Sequence, residues 1–295
     1  MTDYDTDVLV SADWVEDRLD DFQSDDPAYR LVEIESPSPP DNDFPSLYDE
    51  GHIPGAIGLN WDDDLSDDDQ RDILKKEDFE DLVGEIGIGE DSTVVFYGDG
   101  HVPNWFAVFA YWQFNYYGHE DTRILDGGKD YWVENDYPLT EEQPDYPSQE
   151  YEARGPFESI RAYQGEVDKA REAGLPMVDV RSPEEFSGEL IAPPELDETA
   201  QRGGHIPGAS NVPVPTNLQD DGRFLPPEEL RDLYEEAGID GDESVVTYCR
   251  VGERSAIAWF ALHELLGYED VQNYDGSWTE WGNLIRAPIA KGEDD

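Results

Sequence analysis

The chain has 295 residues, 72 of them acidic and 19 basic, and a formal net charge of −53. The acidic excess runs along its whole length, and such a surface repels nucleic-acid phosphates and anionic lipid, so neither is an expected partner. Aromatic residues make up 12%, eight of them tryptophan, which can supply a core and sets the chain apart from acidic disordered proteins.

Charge this dense repels itself unless salt screens it, and the screening length falls to about 3 Å near molar ionic strength. A salt-rich cytoplasm is the expected setting. The start "MTDYDTDVLV" has neither the basic end nor the apolar segment of a signal peptide, and no run approaches the roughly 20 apolar residues of a membrane span. A soluble, cytoplasmic protein with a free thiol is therefore expected, since one cysteine can form no internal disulfide. No metal-ligand spacing connects the five histidines.

In chain order, "LVEIES" at 31–36 reads as a buried strand, "EGHIPGAIGL" at 50–59 as a tight turn, and "STVVFYG" at 92–98 as a second strand. The aromatic helix "NWFAVFAYWQFNYYG" at 104–118 is expected to be core or an interface between the halves rather than a cofactor site, and "LDGGKDYW" at 125–132 follows it. The Pro- and Glu-rich stretch "YPLTEEQPDYPSQEYE" at 137–152 then interrupts the pattern. Beyond it the same series returns in the same order: "MVDVRS" at 177–182, "GGHIPGASNV" at 203–212, "ESVVTYC" at 243–249 and "YDGSWTEW" at 274–281. Two copies of one domain explain this better than a solenoid of short repeats. The expected division is 1–138, a linker at 139–152, and 153–295. Strands alternating with helical patterns predict an α/β fold in each copy, with a mainly parallel sheet flanked by helices.

The one cysteine, Cys249, ends the strand "SVVTY" and precedes "SAIAWFALHELLGY", where Ile257, Phe260, Ala261 and Leu265 recur at helical spacing. It therefore lies in a strand-to-helix loop, at the carboxyl ends of the strands where open α/β sheets bind ligands. Helix N–H groups and the charges of Arg250 and Arg254 should favour thiolate, and Gly252 allows the loop to curl. His52 and His205 sit in matching Gly-His-Ile-Pro-Gly-Ala segments, and one of them lies in the half without a cysteine; a structural hydrogen-bonding role is expected for both.

"CRVGERS" at 249–255 resembles the active-site loop of the thiosulfate sulfurtransferase branch of the tandem-domain rhodaneses. "YDEGHIPGAIGL" at 48–59 resembles the first signature of that family and "VQNYDGSWTEW" at 271–281 its terminal one. Gln201 departs from the pattern, standing where an aromatic residue usually precedes the histidine by four positions. The resemblance implies two rhodanese-like domains and a double displacement. Cys249 would take the outer sulfur of thiosulfate as a persulfide, sulfite would leave, and cyanide or another thiophile, a protein acceptor included, would remove the sulfur. It implies no cofactor and no metal. Val251, Gly252, Glu253 and Ser255 would cradle the persulfide with Arg254, and secondarily Arg250, binding the sulfonate. Arg181 is a third candidate for the donor, with a structural ion pair to Asp179 or Glu184 as its alternative. Aligned copies place Gly98 opposite Cys249, Pro103 opposite Arg254 and Glu35 opposite Arg181, so the first half is expected to be catalytically inactive.

Three other readings stay open. A mercaptopyruvate sulfurtransferase usually has a less basic loop, and a cysteine phosphatase would place arginine where Ser255 stands. A noncatalytic sulfur carrier would form the persulfide without multiple turnover.

Overall fold

The computed structural model describes residues 4, 6–35, 47–67, 70–98, 102–192 and 200–292. The chain forms two compact units that divide after Phe157, with Asp220–Phe224 grouped with the first.

The first unit holds a parallel sheet of β1 (Leu9–Val10), β2 (Tyr29–Glu35), β3 (Ala56–Asn60), β4 (Thr93–Gly98) and β5 (Thr122–Leu125), in the order β1-β5-β4-β2-β3. Its helices are α1 (Ala12–Glu16), α2 (Leu19–Phe22), α3 (Trp61–Asp64), α4 (Lys76–Glu85), α5 (Trp105–Tyr117) and α6 (Gly128–Glu134). Residues 93–98 are buried throughout, as a parallel strand covered on both faces requires. The aromatic helix α5 is buried along nearly its whole length, and Phe114 packs edge-on against Phe96 of β4 and Phe79 of α4. It is core, as its composition predicts. The stretch expected as a linker runs extended against this unit: Tyr146 Oη donates to Phe22 O at 2.5 Å, and the Gln149 amide to Gly84 O at 2.8 Å.

The second unit holds β6 (Met177–Asp179), β7 (Ala209–Asn211), β8 (Val245–Tyr248) and β9 (Val271–Tyr274), all parallel, in the order β7-β6-β8-β9. Around them lie α7 (Gln164–Ala173), α8 (Pro183–Ser187), α9 (Pro227–Glu236), α10 (Ser255–Phe260), which runs on into a π turn at Ala261–Leu265, and α11 (Ser277–Trp281). Its core gathers Met177, Val246, Tyr248, Tyr274, Trp278 and Trp281.

Without β1, the order β5-β4-β2-β3 matches β9-β8-β6-β7, so the repeat in the sequence is a repeat in topology. Register agrees: Glu33 lies beside Tyr97 in one sheet and Asp179 beside Tyr248 in the other. Gly98 therefore occupies the place in the first unit that Cys249 occupies in the second.

Both histidine turns are structural in geometry. His52 Nδ1 lies 2.9 Å from Tyr48 O and its ring stacks on Tyr48 at 3.8 Å. His205 Nδ1 lies 2.8 Å from Phe186 O and its ring stacks on Phe186 at 3.6 Å. Gln201 is exposed, and the aromatic partner missing at that position is supplied by Phe186 of α8. Among the described residues, no helix is long and apolar enough to cross a membrane.

Candidate active site

Cys249 leaves the carboxyl end of β8 and is wholly buried. Its backbone is clamped by α11: the Cys249 amide donates to Ser277 Oγ at 3.0 Å, and Cys249 O and Arg250 O accept from the amides of Trp278 and Thr279 at 3.1 and 2.9 Å. Ser277 achieves this with φ at +49°, a conformation that only glycine adopts freely. The matching residue of the first unit is Gly128, also at positive φ, and there Asn104 Oδ1 accepts from the Gly98 amide at 3.1 Å. The same backbone donor is satisfied by a different side chain in each half.

The loop curls at Gly252, whose φ is +96° and whose amide donates to Cys249 Sγ at 3.1 Å. A Cβ there would lie 2.3 Å from the Asp275 Cα, so the position excludes any side chain. Asp275 in turn is ion-paired with Arg161 at 2.7 Å. The far end of the loop is tied down where Ser255 Oγ lies 2.6 Å from Asn273 Oδ1 and 2.9 Å from Gly252 O.

The expectation of a favoured thiolate is corrected by this geometry. Burial pushes the Cys249 thiol up, and the negative charge of Glu253 adds to it; Arg254 and the amides of Ser255 and Gly252 pull the other way but do not win. Of the four residues expected to cradle the sulfur, Gly252 and Ser255 act on it through backbone amides, and Val251 is buried apolar surface. Glu253 instead places a carboxylate oxygen 3.5 Å from Sγ.

Arg254 is near enough to act on the thiol, but its two terminal nitrogens donate to Glu185 of α8 at 3.1 and 3.3 Å. The fork expected to take the donor's sulfonate is closed on a carboxylate. Arg250 is half-buried on the same loop. Arg181 resolves differently from its assignment to the donor. It is wholly buried, donates to Asp179 through Nε and Nη2 at 3.0 and 2.6 Å and to Gly204 O at 2.7 Å, and lies over the Trp278 ring at 4.5 Å. This is the structural ion pair, set by burial that leaves a guanidinium nowhere else to place its charge.

Glu185, Ser277, Asn273 and Asp275 were not among the residues singled out from the sequence. Ser277 had a legible signal, because it replaces a glycine of the first copy in the turn "DGG" at 126–128. Glu185 had none, because it comes from a helix 69 positions away from Arg254.

A curled, cysteine-bearing loop at the end of a parallel strand, on the second of two topologically matched α/β units, defines a tandem α/β protein with one buried thiol at a strand end. The profile of the Rhodanese-like domain matches residues 11–135 and 163–284, and the chain belongs to the rhodanese-like family. A Haloferax volcanii protein named "Putative thiosulfate sulfurtransferase" is 65% identical over 99% of both chains. "Sulfur carrier protein TtuD" of Thermus thermophilus is 49% identical over 97% of this chain and 98% of its own. Among solved structures, Tum1 of Saccharomyces cerevisiae shares the fold with a TM-score of 0.79 at 23% identity, covering 97% of this chain and 98% of its own.

Proposed function

We propose that the protein is a thiosulfate sulfurtransferase that carries sulfur on Cys249. The observation that supports this most directly is Cys249 Sγ, 3.1 Å from the Gly252 amide at the end of β8, with the charge of Arg254 acting on it. Sγ attacks the outer sulfur of thiosulfate, the sulfur–sulfur bond of the donor breaks, and its electron pair leaves with sulfite. The loop amides then face an anionic persulfide, which cyanide or another thiophile attacks at the terminal sulfur. Because Glu185 holds both terminal nitrogens of Arg254, that residue meets the donor as a charge, and Arg250 is assigned the direct contact with the sulfonate. No cofactor enters the reaction. Catalysis is assigned to the half at 153–295; the half at 1–138, joined through 139–152, has Gly98 where the thiol would be and serves as scaffold. The acidic surface suits a salt-rich cytoplasm, and a relative from Haloferax volcanii supports that setting.

The test is thiosulfate treatment at high salt, read by intact mass and sulfite release, followed by cyanide and thiocyanate detection. Wild type should gain one sulfur and turn over; Cys249→Ser should fold normally and gain none, and transfer by that variant would sink the assignment. A second reading, a sulfur carrier with a protein acceptor, is favoured by the name of the Thermus relative and by the burial of the thiol. Persulfide formation with no more than one turnover in thiosulfate and cyanide would select it, and rates with mercaptopyruvate would place the donor.

A further inference from the structure

The carboxylate of Glu253 is an expensive neighbour for a nucleophile that must meet a dianion. It is 2% exposed, and among the described residues its one side-chain hydrogen-bond partner is the thiol of Cys249, at 3.5 Å. Arg254 lends it charge, but that arginine's two terminal nitrogens are bonded to Glu185, and the negative charge of Glu253 opposes both thiolate formation and approach of the donor. A scaffold residue would be better neutral. The position does make sense for a group that exchanges a proton with Sγ, because the pair then carries one negative charge before and after the exchange.

We propose that Glu253 is a catalytic acid and base: its Oε2 takes the proton of Cys249 Sγ as the donor binds and returns it to the departing sulfite. The proposal rests on the thiosulfate reading for its second step. In the first step the S–H bond breaks and an O–H bond forms on Glu253, leaving a thiolate held by the amides of Gly252 and Ser255. The thiolate attacks the outer sulfur, the donor's sulfur–sulfur bond breaks, and sulfite leaves with the electron pair. Sulfite takes the proton from Glu253, so thiol and thiosulfate become persulfide anion and hydrogensulfite with charge and protons balanced. The ionisable groups about this pair are Arg254, whose charge acts on both Cys249 and Glu253, Glu185 of α8 held by Arg254, and Asp275 beside Gly252 with its partner Arg161; Arg250 lies on the same loop. Arg254 is tied to Glu185 and Asp275 to Arg161, which leaves Glu253 as the carboxylate in contact with Sγ.

Glu253→Gln separates this role from mere repulsion, because the two predict opposite signs. If Glu253 were a spectator charge, its removal would lower the thiol and speed sulfur uptake at neutral pH. As an acid and base, its loss should slow single-turnover persulfide formation at least tenfold at neutral pH, with the deficit shrinking as pH rises. A donor-independent measurement is alkylation of Cys249 by iodoacetamide. Wild type should be alkylated faster than Glu253→Gln at neutral pH, with the gap closing as pH rises, and Glu253→Asp, which keeps a carboxylate, should recover part of the rate. A wild type that takes no sulfur from thiosulfate would overturn the donor reading, and alkylation alone would then decide the role of Glu253. Alkylation or sulfur uptake by Glu253→Gln that equals or exceeds that of wild type overturns the proposal.

Discussion

Arg181 in the second half and Lys129 in the first neutralise matching buried acids from different places in the repeat. Arg181 Nη2 lies 2.6 Å from Asp179 Oδ2, and Lys129 Nζ lies 2.5 Å from Glu33 Oε1. In the aligned copies Lys129 matches Trp278, the residue whose ring lies beneath the Arg181 guanidinium, while Arg181 matches Glu35. The cation has moved between strand end and helix, and the acid and its neighbouring tyrosine have stayed. A buried carboxylate requires a paired charge and is indifferent to which element supplies it. A half that lacks the cysteine keeps the same pair by other means, so the pair belongs to the scaffold.

Arg181→Ala should accordingly destabilise the protein by about 3–5 kcal/mol, the cost of stranding one partner of a buried ion pair. Arg181→Met combined with Asp179→Asn should recover most of that loss in denaturant unfolding at high salt. A raised KM for thiosulfate with an unchanged unfolding midpoint would return Arg181 to the donor site.

Arg254→Ala removes the positive charge that acts on Cys249 and leaves Glu185 buried without its partner. Use of thiosulfate, measured as kcat/KM, should fall by about tenfold or more, the scale of one charge-assisted hydrogen bond. Arg254→Lys keeps the charge but loses the two-bond grip and should fall between wild type and the alanine variant. Equal kcat/KM in all three proteins would move donor recognition elsewhere.

The same pair makes a pH prediction. Burial works to raise the Glu185 carboxyl, but the charge and hydrogen bonds of Arg254 outweigh it and hold the group below the usual carboxylate range. Between the folded and unfolded values only the unfolded state binds the proton, so the stabilisation is whole above the ordinary range and is lost as pH falls through the folded value. The gap in melting temperature between wild type and Glu185→Gln should be largest near neutral pH and close on acidification. A gap that is constant from pH 7 to about pH 3 would contradict this linkage.

Salt should govern stability as a whole. With a net charge of −53, lowering KCl lengthens the screening distance and lets the carboxylates repel across the surface. The melting temperature should rise steadily with KCl, and a melt insensitive to salt would refute the screening argument.

Sulfur uptake should stop at one atom per chain. Gly98→Cys should add no second labile sulfur, since Pro103 stands where Arg254 supplies charge. The structure adds a steric reason: a Cβ at Gly98 would lie 2.7 Å from Ile34 O, so the variant should also be less stable. Asp99 and His101, its sequence neighbours, lie outside the described residues. Peptide mapping after thiosulfate treatment checks this, and a turnover-competent persulfide at position 98 would show two working sites.

The duplication, the parallel α/β class, the placement of Cys249 at a strand end and the structural histidines were all legible in the sequence. Each depends on local patterning: apolar runs that suit buried strands, turn residues with special backbone angles, and motifs that recur in order. What the sequence could not decide is which charge meets which. Arg254 faces Glu185 and Arg181 faces Asp179, while the thiol that two arginines were expected to acidify is pushed up by burial and by Glu253. Charge counts along the chain are blind to this, because the sign of a pKa shift depends on desolvation and on partners brought together from distant segments, and only the packed tertiary structure determines either.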